Sequence, residues 1–302
     1  MTIYSDLKSF LENISQSKTQ ISANEDDAYH GTNGGTTWSN IGTTDFFGFF
    51  TMYPEIDVVV DAFFRFKIDL PFFIEGTHSM TLNILPRLIE GSKTYTVYLI
   101  DRDDCPSFPN GSGDQSNYPV TSTTASYTPG TVEEWDEIDL TDFLKDFMQR
   151  PGFSPGQYLG VKIDDSSATL GTVTGVYDSQ TDVEKAAFID GMDVDIQLIL
   201  DMDSERDIGI PGIVIWKYDE IDSINAHTSS GHDYRQSYLI PIDVYHDSSE
   251  NLYNLIEGLK RLFQENTMSG YHSNRVTSID DRSNNKIGIY RARMMIQVVK
   301  HG

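Results

Sequence analysis

The sequence predicts two domains: an α+β domain with a four-stranded sheet and two helices, and an all-β sandwich inserted into it. Three observations predict this division. The first is charge. The 302-residue chain carries 22 basic and 46 acidic residues, a formal net charge of −24. Residues 1–20 and 206–302 together hold 13 Lys/Arg and 14 Asp/Glu, whereas 21–205 hold 9 and 32. A break this sharp separates units with different surroundings. Second, 21–205 reads as short strands between turn clusters with one small helix, the pattern of a β-sandwich. Third, the elements after Ser204 run β-β-α-β-β, and such a sheet needs a second helix to cover it. The N-terminal helix is the spare one, so 1–20 is expected to pack with 206–302.

Each element has its own signal. Ile3, Leu7, Phe10, Leu11 and Ile14 follow the helical period, with Asp6, Lys8 and Glu12 on the other side. Val58–Leu70 alternates in part and is rich in Val, Phe and Ile, which favours strand. Met80–Leu85, Thr94–Ile100, Tyr158–Ile163 and Gly175–Tyr177 read as further strands, and Met192–Leu200 closes the run. Gly31–Gly35 reads as a loop, and Asp101–Pro129 as a long polar one broken by Pro106, Pro109, Gly111 and Gly113. Leu140, Phe143, Leu144 and Phe147 share a helix face that ends at Pro151-Gly152.

The C-terminal third is clearer. Ile213–Trp216 is an apolar strand, and Ser223–Asp233 a polar loop. Arg235–Tyr245 puts Tyr238, Ile240, Ile242 and Val244 on one face, while Pro241 predicts an unpaired side or a bulge. Ser249–Thr267 is the strongest helix, with a stripe through Leu252, Leu255, Ile256, Leu259, Leu262 and Phe263 and a cap at Ser248 or Ser249. Arg275–Ile279 and Ile289–Lys300 are strands about a turn at Arg282–Lys286. The last strand turns Tyr290, Ala292, Met294, Ile296 and Val298 inward, leaving Arg291, Arg293 and Gln297 on the opposite face.

Composition excludes several functions. No segment is long and apolar enough to span a bilayer, and Met1–Gln16 lacks a basic region followed by an apolar run, so no secretory signal is expected. The acidic middle repels nucleic acid and anionic membranes, and also suits a high-salt environment. Cys105 is the sole cysteine, read as a free thiol in a reducing compartment. Phosphate-loop, His-Glu-x-x-His and Gly-x-Ser-x-Gly motifs are missing, so a protein without enzymatic activity or organic cofactor is expected. His30, His78, His227, His232, His246, His272 and His301 lack metal-ligand spacing and read as surface or loop residues.

Some side chains remain candidates for chemistry. Glu133, Glu134, Asp136, Glu137 and Asp139 could imitate a glycosidase pair, but a solvated acidic face is the reading taken. Asp101, Asp103 and Asp104, with Asp164 and Asp165, could supply oxygens to a structural Ca²⁺. Trp38, in a Gly/Thr-rich loop, is the candidate glycan contact; Trp135 reads as core, and Tyr118 and Tyr127 could stack on sugars if exposed. Arg291 and Arg293 are candidates for a subunit interface, with Asp219, Glu220 and Asp222 as opposite numbers on a neighbour.

Two resemblances join these readings. The stretch Tyr238-Leu239-Ile240-Pro241-Ile242-Asp243-Val244-Tyr245, the helix through Leu252–Phe263, Ser269-Gly270, Arg275–Ile279 and Gly288–Arg293 resemble the tail-terminator and tail-completion proteins of long-tailed viruses. Those are small α+β proteins with a leading helix that form a ring at the head-proximal end of the tail. The resemblance implies a virion protein made in the host cytoplasm, hexameric as a ring, with the tail tube and head–tail connector as partners. It covers about a third of the chain, and the small family members lack the long insertion. Trp135–Leu144, Tyr158–Ile163 and Gly175–Ser179 resemble jelly-roll modules related to carbohydrate-binding domains. That likeness implies a decorating domain or, in an alternative reading, a carbohydrate-binding adhesion module on a small anchor.

Overall fold

The computed structural model describes residues 3–21, 23, 25–32, 36–39, 44–52, 56–91, 93–113, 115–164, 171–179, 182–199, 208–216, 224–227, 234–283 and 290–301. The chain is mostly β and forms two compact units. One comprises residues 1–16, 74–78 and 193–302, the other 17–73 and 79–192. These limits differ from the predicted 1–20, 206–302 and 21–205 at every junction. The helix α1 (Ile3–Leu11) belongs to the first unit.

The second unit contains fourteen strands among its described residues. They are β1 (Thr19–Gln20), β2 (Asp27–Thr32), β3 (Thr36–Ser39), β4 (Thr44–Met52), β5 (Ile56–Ile68), β6 (Thr81–Ile84) and β7 (Pro86–Glu90). After these come β8 (Tyr95–Ile100), β9 (Gly111–Ser112), β10 (Val120–Tyr127), β11 (Asp136–Asp139), β12 (Gln157–Asp164), β13 (Thr172–Tyr177) and β14 (Phe188–Asp190). A four-stranded sheet has the order β1-β14-β6-β11. A larger sheet runs β10-β8-β12-β5-β2-β3-β9, with β4, β13 and β7 attached through β5. The helix α2 (Thr141–Met148) turns Phe143, Leu144, Phe147 and Met148 into the core these sheets share.

Strand β5 is the hub, pairing with β12, β2 and β4. Ala62, Phe64, Phe66 and Ile68 enter the main core from one of its faces. Phe63 points the other way and is buried too, under Trp38, Phe108 and Tyr118. Burial on both faces is why the alternation in this strand is only partial. The stretch 101–129, expected as loop, contributes β10, which pairs antiparallel with β8.

The first unit is built on a six-stranded sheet where four strands were expected. Its strands are β15 (Asp195–Ile199), β16 (Gly212–Trp216), β17 (Ile224–His227), β18 (Tyr234–His246), β19 (Ser273–Asp281) and β20 (Tyr290–His301). The order is β15-β16-β18-β20-β19, with β17 also on β18. The segment read as closing the sandwich is instead β15, a parallel partner of β16. Part of the expected 223–233 loop is β17, and most of the expected 282–286 turn lies outside the described residues. On one side of β18, β17 pairs with residues 234–237 and β16 with 242–245. Pro241 falls in the gap between them, where no ladder needs its missing N–H.

The helix α3 (Ser249–Glu265) starts at Ser248, whose Oγ accepts from the Asn251 N–H at 3.1 Å. Its stripe, Leu252 to Phe263, is buried with Ile240, Ile242, Val244, Met294, Ile296 and Val298. Phe10 of α1 meets Phe263 at 5.2 Å between ring centroids, and Asp6 accepts from the Tyr271 hydroxyl at 2.8 Å. At the far end of α3, buried Asn274 accepts from the Met268 N–H and donates to the Asn266 carbonyl. Such pairing at a helix terminus satisfies groups the helix itself leaves open.

Candidate functional site

The face of the six-stranded sheet opposite the helices carries a charged cluster built by register. Alternation puts Asp243 of β18 on that face, and Arg291 and Arg293 of β20 with it. The antiparallel register sets Asp243 directly opposite Arg293, with Arg291 opposite Tyr245. The Asp243 carboxylate, fully buried, accepts from Arg293 Nε and Nη2 at 2.8 Å each, from Arg291 Nη2 and from the indole N–H of Trp216. Burial alone would raise its pKa, but the hydrogen bonds and charges of Arg293 and Arg291 outweigh that and hold it below the usual carboxylate range.

Arg291 and Arg293 both lie on the predicted face, 31% and 19% exposed, and both pair with the single carboxylate of Asp243 in the same chain, which balances one of their two charges. Asp219, Glu220 and Asp222, their proposed counterparts, lie outside the described residues.

A different part of this unit is open. Among the described residues, β19 pairs with β20 alone, so its other edge carries unmatched backbone groups. Eight of its nine residues are exposed or half-buried. A groove of about 320 Å³ runs beside it, lined by Lys260, Phe263, Arg275, Val276 and Ile279. Next to that groove Tyr253 is 62% exposed and Ile279 38%.

In the second unit the sequence-proposed sites separate. Asp101, Asp103 and Asp104 are exposed and do not converge with Asp164. Asp104 accepts from the Tyr158 N–H at 2.9 Å, Asp164 pairs with Lys162 at 3.1 Å, and Asp165 lies outside the described residues. The five carboxylates of 133–139 do not all stay solvated either, since Asp136 accepts from the Tyr127 hydroxyl at 2.7 Å.

The two tryptophans exchange roles. Trp38 is 1% exposed and packs on Phe63, Phe108, Tyr118 and His30, so it cannot stack on a glycan. Trp135, expected in the core, is 41% exposed and meets Phe188 edge-on at 5.0 Å. Tyr118 and Tyr127 are buried. Three histidines read as surface residues, His30, His78 and His246, are buried as well.

Sequence reasoning missed a second acidic group altogether. Asp27 of β2, Asp45 of β4 and Asp178, just after β13, bring carboxylate oxygens within 4.8 Å of one another, and all three are buried. Asp27 accepts from the Ser179 N–H and Oγ, both at 2.8 Å. Neither oxygen of Asp45 has a hydrogen-bond partner among the described residues. Burial, then the charge of Asp178, pushes Asp27 up to about 7; burial, then Asp27 and Asp178, raises Asp45 well above its usual value. The three residues are separated by 18 and 133 positions, so no local motif announces them. No protein-family model matches this chain, and no curated protein matches it significantly.

Proposed function

We propose that the chain is a non-enzymatic structural virion protein that forms a ring at the head–tail junction of a tailed virus. In this reading the α+β unit makes the ring, and the β-sandwich, as a jelly roll, is a decorating module. The partners are further copies of the chain, the tail tube and the connector. The observation that carries the reading is the open edge of β19 with apolar Tyr253 and Ile279 beside it. A strand edge with matching grooves accepts another strand or helix by backbone pairing and apolar burial, which is how identical subunits close a ring. In this reading the interface lies at β19, while Arg291 and Arg293 pair with Asp243 of their own chain.

Light scattering at low and high salt, with electron microscopy of the same peak, tests this. Closed rings are expected for the wild type, and monomers for the double variant Tyr253→Ser/Ile279→Asp with an unchanged circular dichroism spectrum. A monomer at every concentration and in both salts refutes self-assembly of the chain.

Exposure of Trp135 beside Phe188 favours one second reading, a carbohydrate-binding module. Glycan binding that disappears in Trp135→Ala, while Trp38 remains buried, would support it.

A further inference from the structure

We infer that Asp27, Asp45 and Asp178 form a binding site for one divalent cation, and that the cation is calcium. The inference stands apart from the ring reading. Three carboxylates are held inside the sandwich by three separate strand contexts. β2 pairs with β5, β4 pairs with both β5 and β13, and Asp178 follows β13 directly. Ionising three buried carboxyl groups together is costly unless something of opposite charge joins them. Ser179 serves only Asp27. Asp45 is fully buried, brings a carboxylate oxygen to the cluster and finds no donor for either oxygen among the described residues. That unmatched side chain is what distinguishes this group from an ordinary acidic patch.

The donor set selects the ion. Every candidate ligand atom is a carboxylate oxygen, which suits a hard cation rather than zinc or copper. Calcium binds oxygens at about 2.3–2.6 Å, so two ligands on opposite sides of it are about 4.8 Å apart. Three carboxylate oxygens lying within 4.8 Å of one another can share one such ion. Magnesium, with oxygens at about 2.0–2.1 Å and a strong hold on its waters, fits a buried three-carboxylate pocket less well. A bound ion would tie β2 and β4, both neighbours of the hub strand, to the turn after β13. The sequence-proposed group at Asp101, Asp103 and Asp104 has none of this convergence.

The test uses the full chain, stripped with chelator at pH 7.5. Isothermal titration with CaCl₂ should show one site per chain. At a hundredfold excess over Kd, the sandwich transition should rise by roughly 5–10 °C in a calorimetric scan. Asp45→Asn should lose at least tenfold in calcium affinity. Because it removes a buried charge, it should still fold without calcium, as circular dichroism would verify. Asp178→Asn gives an independent second variant, and Asp103→Asn should bind like wild type. The absence of both binding heat and a thermal shift at millimolar calcium overturns the site. So does wild-type affinity in both Asp45→Asn and Asp178→Asn, and magnesium binding as tight as calcium overturns the choice of ion.

Discussion

Replacing Asp243 by asparagine tests how far one carboxylate organises the outer face of the six-stranded sheet. The wild-type group is fully buried and receives four hydrogen bonds, three of them from arginine nitrogens. An asparagine fills the same volume but presents an NH₂ where one oxygen stood. If its oxygen takes the Oδ2 place, Trp216, Arg291 and Arg293 Nη2 keep an acceptor, and Arg293 Nε faces a donor. The reverse orientation loses three bonds instead of one. Charge-assisted bonds contribute about 1.5–3 kcal/mol each, and removing one partner of a buried ion pair costs about 3–5 kcal/mol. The arginines are partly exposed and recover some hydration, so the expected loss lies near the lower end, about 3 kcal/mol. With a urea m-value of roughly 2 kcal/mol/M, the unfolding midpoint of this unit should fall by about 1.5 M. Urea titration followed by tryptophan fluorescence reads it, since Trp216 sits in the cluster. A triple variant, Asp243→Leu with Arg291→Met and Arg293→Met, should recover most of the loss, because it leaves no charge unmatched. A single Asp243→Asn variant within 0.5 kcal/mol of wild type would refute the reasoning, since the carboxylate would then not be what balances the arginines.

Other perturbations have equally definite outcomes. His78 is buried with its Nδ1 accepting from the Ile74 N–H at 3.1 Å and its Nε2–H donating to the Ile14 carbonyl at 2.9 Å, and burial lowers its pKa from 6.5 to about 4. The unfolded chain therefore binds the proton more readily, so stability of this unit should decline as pH falls from about 6.5 towards 4, by about 3 kcal/mol from this group. Thermal melts across that range should show the slope, and His78→Asn should flatten it. Asp243 acts lower on the scale: its pKa is depressed, so its contribution persists above 3.8 and disappears only as pH drops below that value. Trp38→Ala should cost about 3–5 kcal/mol in chemical denaturation, whereas Trp135→Ala should cost about 1 kcal/mol or less, reversing the order its sequence context suggests.

What could be read from the sequence was local periodicity; what could not was the partner of each element. The α3 stripe and its Ser248 cap are complete within twenty residues, and so is the amphipathic α2. Strand β10, Val-Thr-Ser-Thr-Thr-Ala-Ser-Tyr, has little apolar content, and it becomes a strand by pairing with β8. The apolar run that became β15 was correctly a strand, but periodicity cannot say which sheet a strand joins. Trp38 looked exposed because its flanks are glycine and threonine, yet Phe108 and Tyr118 return from 70 and 80 residues away to cover it. For the Asp243 cluster, alternation placed Arg291 and Arg293 on one face but did not bring Asp243 to them. Only the strand register, Asp243 opposite Arg293, turns that shared face into an ion pair.

The same limit applies to the acidic surplus, with larger consequences. By composition the charge of 21–205 reads as one solvated surface, since a carboxylate in water needs no partner. Asp27, Asp45, Asp61 and Asp178 are buried within that stretch and cannot be part of such a surface. Asp61 shows one solution: Lys162 approaches it at 3.1 Å and Gln115 donates to it at 2.6 Å. In the group of Asp27, Asp45 and Asp178, neither oxygen of Asp45 finds a donor among the described residues. Asp61 lies on the hub strand and the other group on its neighbours, inside the unit, where a residue chosen only for solubility would be replaced at no cost by an apolar one. Their acidity therefore answers to an internal demand rather than to the solvent, and in the second group the calcium proposed above would meet it.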